Sequence, residues 1–221
     1  MTTEERLNTI KKKLKARKLK LPAQISLLDE NEIGTYSLED ICKRAIISAI
    51  MSKCAFYLYD AKSKKKIKDE YKELLNKYGV YDYLYDNERD VLNKNFNEPL
   101  CDTIGWRYQS SIALLWFLGL VENIDNATLT DDIEKEICTT FDQITSYESV
   151  EDLMSQSTPR SKEEISDALA LYRYYHWAFM NAYMSGKEVS TLFYDVVLER
   201  RRALEWILFS KGEDWNFIMD T

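Results

Sequence analysis

The chain has 221 residues, 45% hydrophobic and 13% aromatic, which is enough to bury a sizeable core in one domain and excludes a chain that stays unfolded. Six glycines and three prolines are too few for the many turns of a sandwich or barrel, and helix-forming Leu, Ile, Lys and Glu abound, so the expected class is all-α: a single compact multi-helix domain. The net charge of −7 is uneven, because residues 1–20 carry eight Lys and Arg against two Glu, a surplus of six that leaves −13 for the rest.

In "RLNTIKKKLKARKLKL", Leu7, Ile10 and Leu14 follow helical spacing while lysines take the other faces. The segment reads as a basic amphipathic helix over 1–20, an extension to a domain at 21–221, with its narrow stripe docked on the acidic body. Nucleic acid or an anionic membrane surface are the other partners for such a helix, and the acidic remainder argues against nucleic acid. "MTTEERLNTI" lacks the apolar core of an export signal. The longest apolar run, "IALLWFLGLV" from Ile112 to Val121, is ten residues against the roughly 20 needed to span a bilayer, so no membrane span is expected.

A helix is expected from Ser37, where Ser37 and Asp40 have capping spacing, to about Tyr59; its apolar positions cover more than one face, so it lies centrally. "SKKKIKDEYKELLNKYG" predicts a surface helix stopped by Gly79, and "NERDVLNKN" a short one. Pro99 opens a longer helix, about 100–121, that becomes apolar on every side after Ile112 and reads as the buried centre of the core. Residues 123–158 are polar and broken, with short helices around "DDIEKEICTTFDQI" and "VEDLMSQ".

Ser161 and Glu164 form a capping box, and the helix they open runs to Gly186. On it Ile165, Leu169, Tyr172, His176, Phe179 and Tyr183 share one stripe, which puts the only histidine amid an apolar face. A last helix, about Glu188 to Lys211, repeats the pattern with Val189, Phe193, Val196, Arg200, Ala203 and Ile207, and here Arg200 is the intruder.

A guanidinium on an apolar stripe must be paired, because burying a lone charge is costly. Arg107, Arg173, His176, Glu199, Arg200 and Asp220 are the candidate members of one polar cluster, with Trp106, Trp177, Trp206 and Trp215 as associated aromatics. Asp220 is expected to fold back and pair with Arg200, Arg173 or Arg107. Two readings of the cluster stand side by side: a structural network tying helices together, or an anion-binding or acid/base pocket with His176 as general base. There is no GxSxG, no glycine-rich phosphate loop, no HExxH and no paired-cysteine spacing, so neither cofactor nor metal is expected. The four cysteines are widely spaced, which fits reduced thiols in a cytoplasmic protein.

"SLEDICKRA", "WRYQSSIALLWFLGL", "SKEEISDALALYRYYHWA", "LERRRALEWI" and "DWNFIMDT", in that order, resemble the uncharacterised family catalogued as domain of unknown function 4272, over roughly residues 20–221. The resemblance implies a soluble, chiefly bacterial helical domain without an established activity. It places recurring positions at Arg44, Trp106, Arg107, Trp116, Arg173, His176, Trp177, Glu199, Arg200, Trp206, Trp215, Asp220 and Thr221. Where the family pattern has an acidic residue two after the central arginine, this chain has Gln109. Two functions are carried forward: a non-enzymatic module binding an unknown protein partner, and an enzyme or small-molecule binder that uses the Arg/His/Glu cluster for an anionic ligand.

Overall fold

A computed structural model describes residues 1–21, 26–27, 36–209 and 215. The described residues form helices, with no strand among them. In chain order the helices are α1 (Thr3–Ala16), α2 (Leu38–Tyr57), α3 (Lys64–Lys77), α4 (Asp86–Asn93), α5 (Glu98–Gly105), α6 (Arg107–Phe117), α7 (Ile133–Thr145), α8 (Val150–Gln156), α9 (Lys162–Met184) and α10 (Tyr194–Phe209). A 3-10 turn, Tyr81–Tyr83, links α3 to α4.

Helix starts follow the capping residues. Ser37, Ser63, Asn97, Asp132, Ser149 and Ser161 each accept a hydrogen bond from a first-turn amide, and Ser161 and Glu164 complete the reciprocal box. At the other end of α3, Gly79 takes φ of 66°, the left-handed conformation a C-terminal cap needs.

The centre of the fold is α2 against α6. Ile41, Ala45, Ile46, Ile50, Met51 and Cys54 of α2 are fully buried on several faces, which is why this helix carries almost no solvent side. α3, α5, α7 and α8 surround α2, while α10 packs on α6 and on α9. One hydrophobic core runs through all of these layers.

The segment expected as one helix over 100–121 is two, α5 and α6, meeting at Trp106. The Ser52 hydroxyl donates to the Gly105 carbonyl, and the Gln109 amide bonds the Trp106 carbonyl at 3.0 Å in a tight i+3 turn, so the α-helical ladder is interrupted there. α6 keeps the buried character expected of the segment: Ala113, Leu114 and Leu115 are wholly enclosed.

The end of α6 is closed by the chain ahead of α9. The amides of Thr158 and Arg160 reach the carbonyls of Leu118 and Phe117 at 2.8 Å each, and the Arg160 guanidinium takes the Trp116 carbonyl at 2.9 Å, so otherwise orphaned helix carbonyls are satisfied. Gly119 has φ of 77°, and a Cβ there would meet the Thr158 carbonyl oxygen at 2.5 Å; only glycine fits.

Two further boundaries differ from expectation. α10 begins at Tyr194, not near Glu188, because the Phe193 amide bonds the Ala127 carbonyl at 2.8 Å and the Thr191 hydroxyl bonds the Arg17 carbonyl at 3.0 Å, holding this stretch as a strap across the end of α1. The stripe on α9 leaves the core at its C-terminal end, where Tyr183 is 81% exposed.

α1 docks on α9 along the stripe read from sequence. Ile10 and Leu14 are buried, and Arg6 meets Asp167 at 2.8 Å. Arg17 then crosses to Tyr175, Thr191 and Asp125 at 2.8–3.1 Å.

Candidate functional site

The structure distributes the predicted cluster over separate sets of partners. Successive residues of α10 point about 100° apart, so Glu199, Arg200 and Arg201 face different neighbours.

Arg107, fully buried at the start of α6, donates to Glu88 of α4. Arg44 of α2 donates to both oxygens of the same carboxylate, one at 3.2 Å and the other closer. Glu88 also accepts the Tyr85 amide at 2.9 Å, so it caps α4 while joining α2 and α6. Burial pushes the Glu88 carboxyl up, but the two guanidiniums and the amide outweigh it and hold it below the usual carboxylate range. Burial pulls the Arg107 guanidinium down, with Glu88 opposing. The Arg44 guanidinium lies 5.1 Å from the Tyr85 ring and 5.1 Å from the Trp215 ring.

Trp215 is fully enclosed and meets Trp206 edge to face at 5.2 Å; Trp206 stacks on Tyr36 at 3.8 Å and donates to the Tyr85 hydroxyl at 3.3 Å. Of these two, Trp215 sits over Arg44, and Trp206 packs against Trp215 and Tyr85. Trp106 lies elsewhere, 5.3 Å from the Phe193 ring, and Trp177 is half-buried on α9.

Arg173 and His176 belong to a second set. Arg173 grips Glu205 with two hydrogen bonds of 2.8 and 2.7 Å, and Arg201 reaches the same carboxylate at 3.2 Å. Arg201 also donates to Nδ1 of His176, which is 4% exposed. A guanidinium has no lone pair to offer, so Nδ1 must be the unprotonated nitrogen and Nε2 carries the proton. Burial, with the Arg201 charge added, pushes the imidazole down to about 4.

Arg200 forms a third set. Its Nε bonds Gln109 at 2.8 Å, and its Nη1 reaches the carbonyls of Ile124 and Asn126 at 3.0 and 2.7 Å and the Tyr172 hydroxyl at 3.2 Å. Gln109 passes the charge on, donating to Glu136 at 3.1 Å. Glu199 takes Ser110 at 2.8 Å and Arg202 at 2.5 Å, and both Glu199 and Arg202 lie close enough to act on the Arg107 charge. Asp220 lies outside the described residues, and so does Thr221.

Sequence reasoning missed Glu88, Arg201 and Glu205 as members of these sets. Each was findable by the rule that singled out Arg200: Glu88 shares a stripe with Val91 and Leu92, and Arg201 and Glu205 flank Leu204 and Leu208 at helical spacing.

Clefts bounded by described residues are lined by other groups. One of about 300 Å³ lies between Arg17–Lys20 and the end of α9, and one of about 140 Å³ lies beside the α5–α6 break. No group of three or more His, Cys, Asp or Glu among the described residues is placed to hold a metal ion. No helix among them is long and apolar enough to cross a membrane.

The fold and its charged ties define an all-α domain in which buried ion pairs link the central helices. The chain belongs to the family described as domain of unknown function (DUF4272), which matches residues 6–218. That match begins inside α1, so most of the basic helix read from sequence as an extension falls within the family region. No curated protein and no solved structure matches the chain.

Proposed function

We propose that this protein is a non-enzymatic interaction module whose Arg/His/Glu residues hold its scaffold together. The observation that carries this reading is the commitment of His176: its Nδ1 is occupied by Arg201 and its proton affinity is too low for a general base at neutral pH. The alternative, a single Arg/His/Glu pocket for an anionic ligand, needs these side chains to converge, and among the described residues Arg107, Arg173 and Arg200 bond different partners, Glu88, Glu205 and Gln109.

The contact surface we assign is the C-terminal end of α9 with the end of α1. Tyr183 and Met184 are 81% and 84% exposed there, and Lys18, Lys20 and Lys187 border the adjoining cleft. Large apolar side chains rimmed by charge mark protein contacts, and the basic rim fits an acidic partner surface. Buried free thiols at Cys42, Cys54 and Cys101 fit a reducing, cytoplasmic setting.

The test is co-purification from the native host with the parent chain and with a Tyr183→Ser/Met184→Ser/Lys18→Glu variant. A protein retained by the parent and lost by the folded variant supports the surface. The same partners on both, or none on either, overturns it.

A further inference from the structure

The cleft beside the α5–α6 break has the features of a small-ligand site, and it stands apart from the contact surface. Its volume is about 140 Å³. Phe56, Tyr59, Trp106 and Tyr108 supply ring walls, and Ile133 and Ile137 of α7 close the far side. An apolar cavity of ~150 Å³ accommodates one benzene-sized ring.

Tyr108 is 1% exposed and lines the cleft, while its hydroxyl lies against Gln109 and Glu136, which do not line it, so what Tyr108 offers the cleft is its ring. The observation that separates the cleft from a packing defect is Gly105. Nothing lies within 4 Å of where a Cβ would stand, so neither steric crowding nor a left-handed conformation requires glycine at the end of α5, and its effect is to leave the cleft open.

The rim sets the charge of the ligand. Asp102 is exposed at the mouth, hydrogen-bonded by the Tyr59 hydroxyl, and no cation pairs with it among the described residues. We infer that the cleft binds a small aromatic amine, its ring between Phe56, Trp106 and Tyr108 and its ammonium group at Asp102. Ring-on-ring contact and a charge-assisted hydrogen bond are the two interactions this lining offers such a molecule.

Phenethylamine is the probe, titrated into the full chain and followed by NMR shift changes, with phenylacetate as the oppositely charged control. A nine-atom fragment should bind with Kd of about a millimolar. The shifts should centre on Trp106, Tyr108 and Ile137. Gly105→Leu fills the mouth and should abolish binding; if that variant fails to fold, Ile133→Trp obstructs the cleft from the other wall and should do the same. Asp102→Asn should weaken phenethylamine binding roughly two- to fivefold, the order expected for one exposed ion pair, and phenylacetate should bind the parent no tighter than phenethylamine binds that variant. Absent shifts at the cleft, binding unaffected by either obstruction, or phenylacetate binding as well as phenethylamine would each overturn the assignment.

Discussion

Arg107 and Glu88 are both fully buried and joined directly, and Arg44 reaches the same carboxylate from the opposite helix. One carboxylate thus ties α2, α4 and α6. Removing its charge leaves two guanidiniums uncompensated in the interior, so Glu88→Gln should lower stability by roughly 3–5 kcal/mol in urea unfolding. Replacing all three residues by Met and Leu should recover a large part of that loss. A loss under about 1 kcal/mol for Glu88→Gln would mean the carboxylate does not hold the helices together.

Gln109 sits between Arg200 and Glu136. Gln109→Glu alone gains a charge-assisted bond to Arg200 and acquires a like charge at Glu136, so its net effect should be small. With Glu136→Gln the repulsion is gone, and the double variant should exceed the sum of the singles by about 1 kcal/mol or more. Additive single effects would contradict the relay.

Leu14 is 1% exposed on α1. Leu14→Ala should cost about 2–4 kcal/mol, as for a core leucine, with an unchanged denaturant slope. An effect below about 0.5 kcal/mol would mean that α1 is not packed on α9.

Cys42 and Cys54 are buried, and desolvation pushes their thiols up to about 11 and about 12. Cys101 is buried as well, with its thiol raised by the same cause, while Cys138 is half-buried. With a thiol reagent at pH 8, one cysteine per chain should react quickly and three only on unfolding. Rapid reaction of a second thiol would contradict the packing around α2.

The helical class was legible because helix formers outnumber turn residues and capping residues stand where helices start, as at Ser37 and Ser161. The break at Trp106 was not, since it depends on Ser52, 53 residues away in sequence, bonding the Gly105 carbonyl. The polar residues were legible as intruders on apolar stripes, but a stripe tells only that a charge is buried. Which carboxylate meets it depends on how α4, α6, α9 and α10 cross, and periodicity holds no information about that. Arg200 is an example: among the described residues its hydrogen bonds go to Gln109, two backbone carbonyls and Tyr172, while the pairing expected with Asp220 falls outside the described residues.

The central claim, that the polar cluster is scaffold and not a reactive site, meets its most direct test in the titration of His176, the only histidine in the chain. Its folded value of about 4 lies below the ordinary 6.5, so the unfolded chain binds the extra proton first and stability falls as pH drops from 6.5 towards 4, by on the order of 2–3 kcal/mol. Above 6.5 both states are neutral and this contribution is fully present. NMR of the single imidazole should show no titration between pH 8 and 5.5 and a midpoint near 4, with the proton on Nε2. A midpoint at or above about 6.5, the value of a free imidazole, would contradict the account, because His176 would then exchange protons at neutral pH as a catalytic base does.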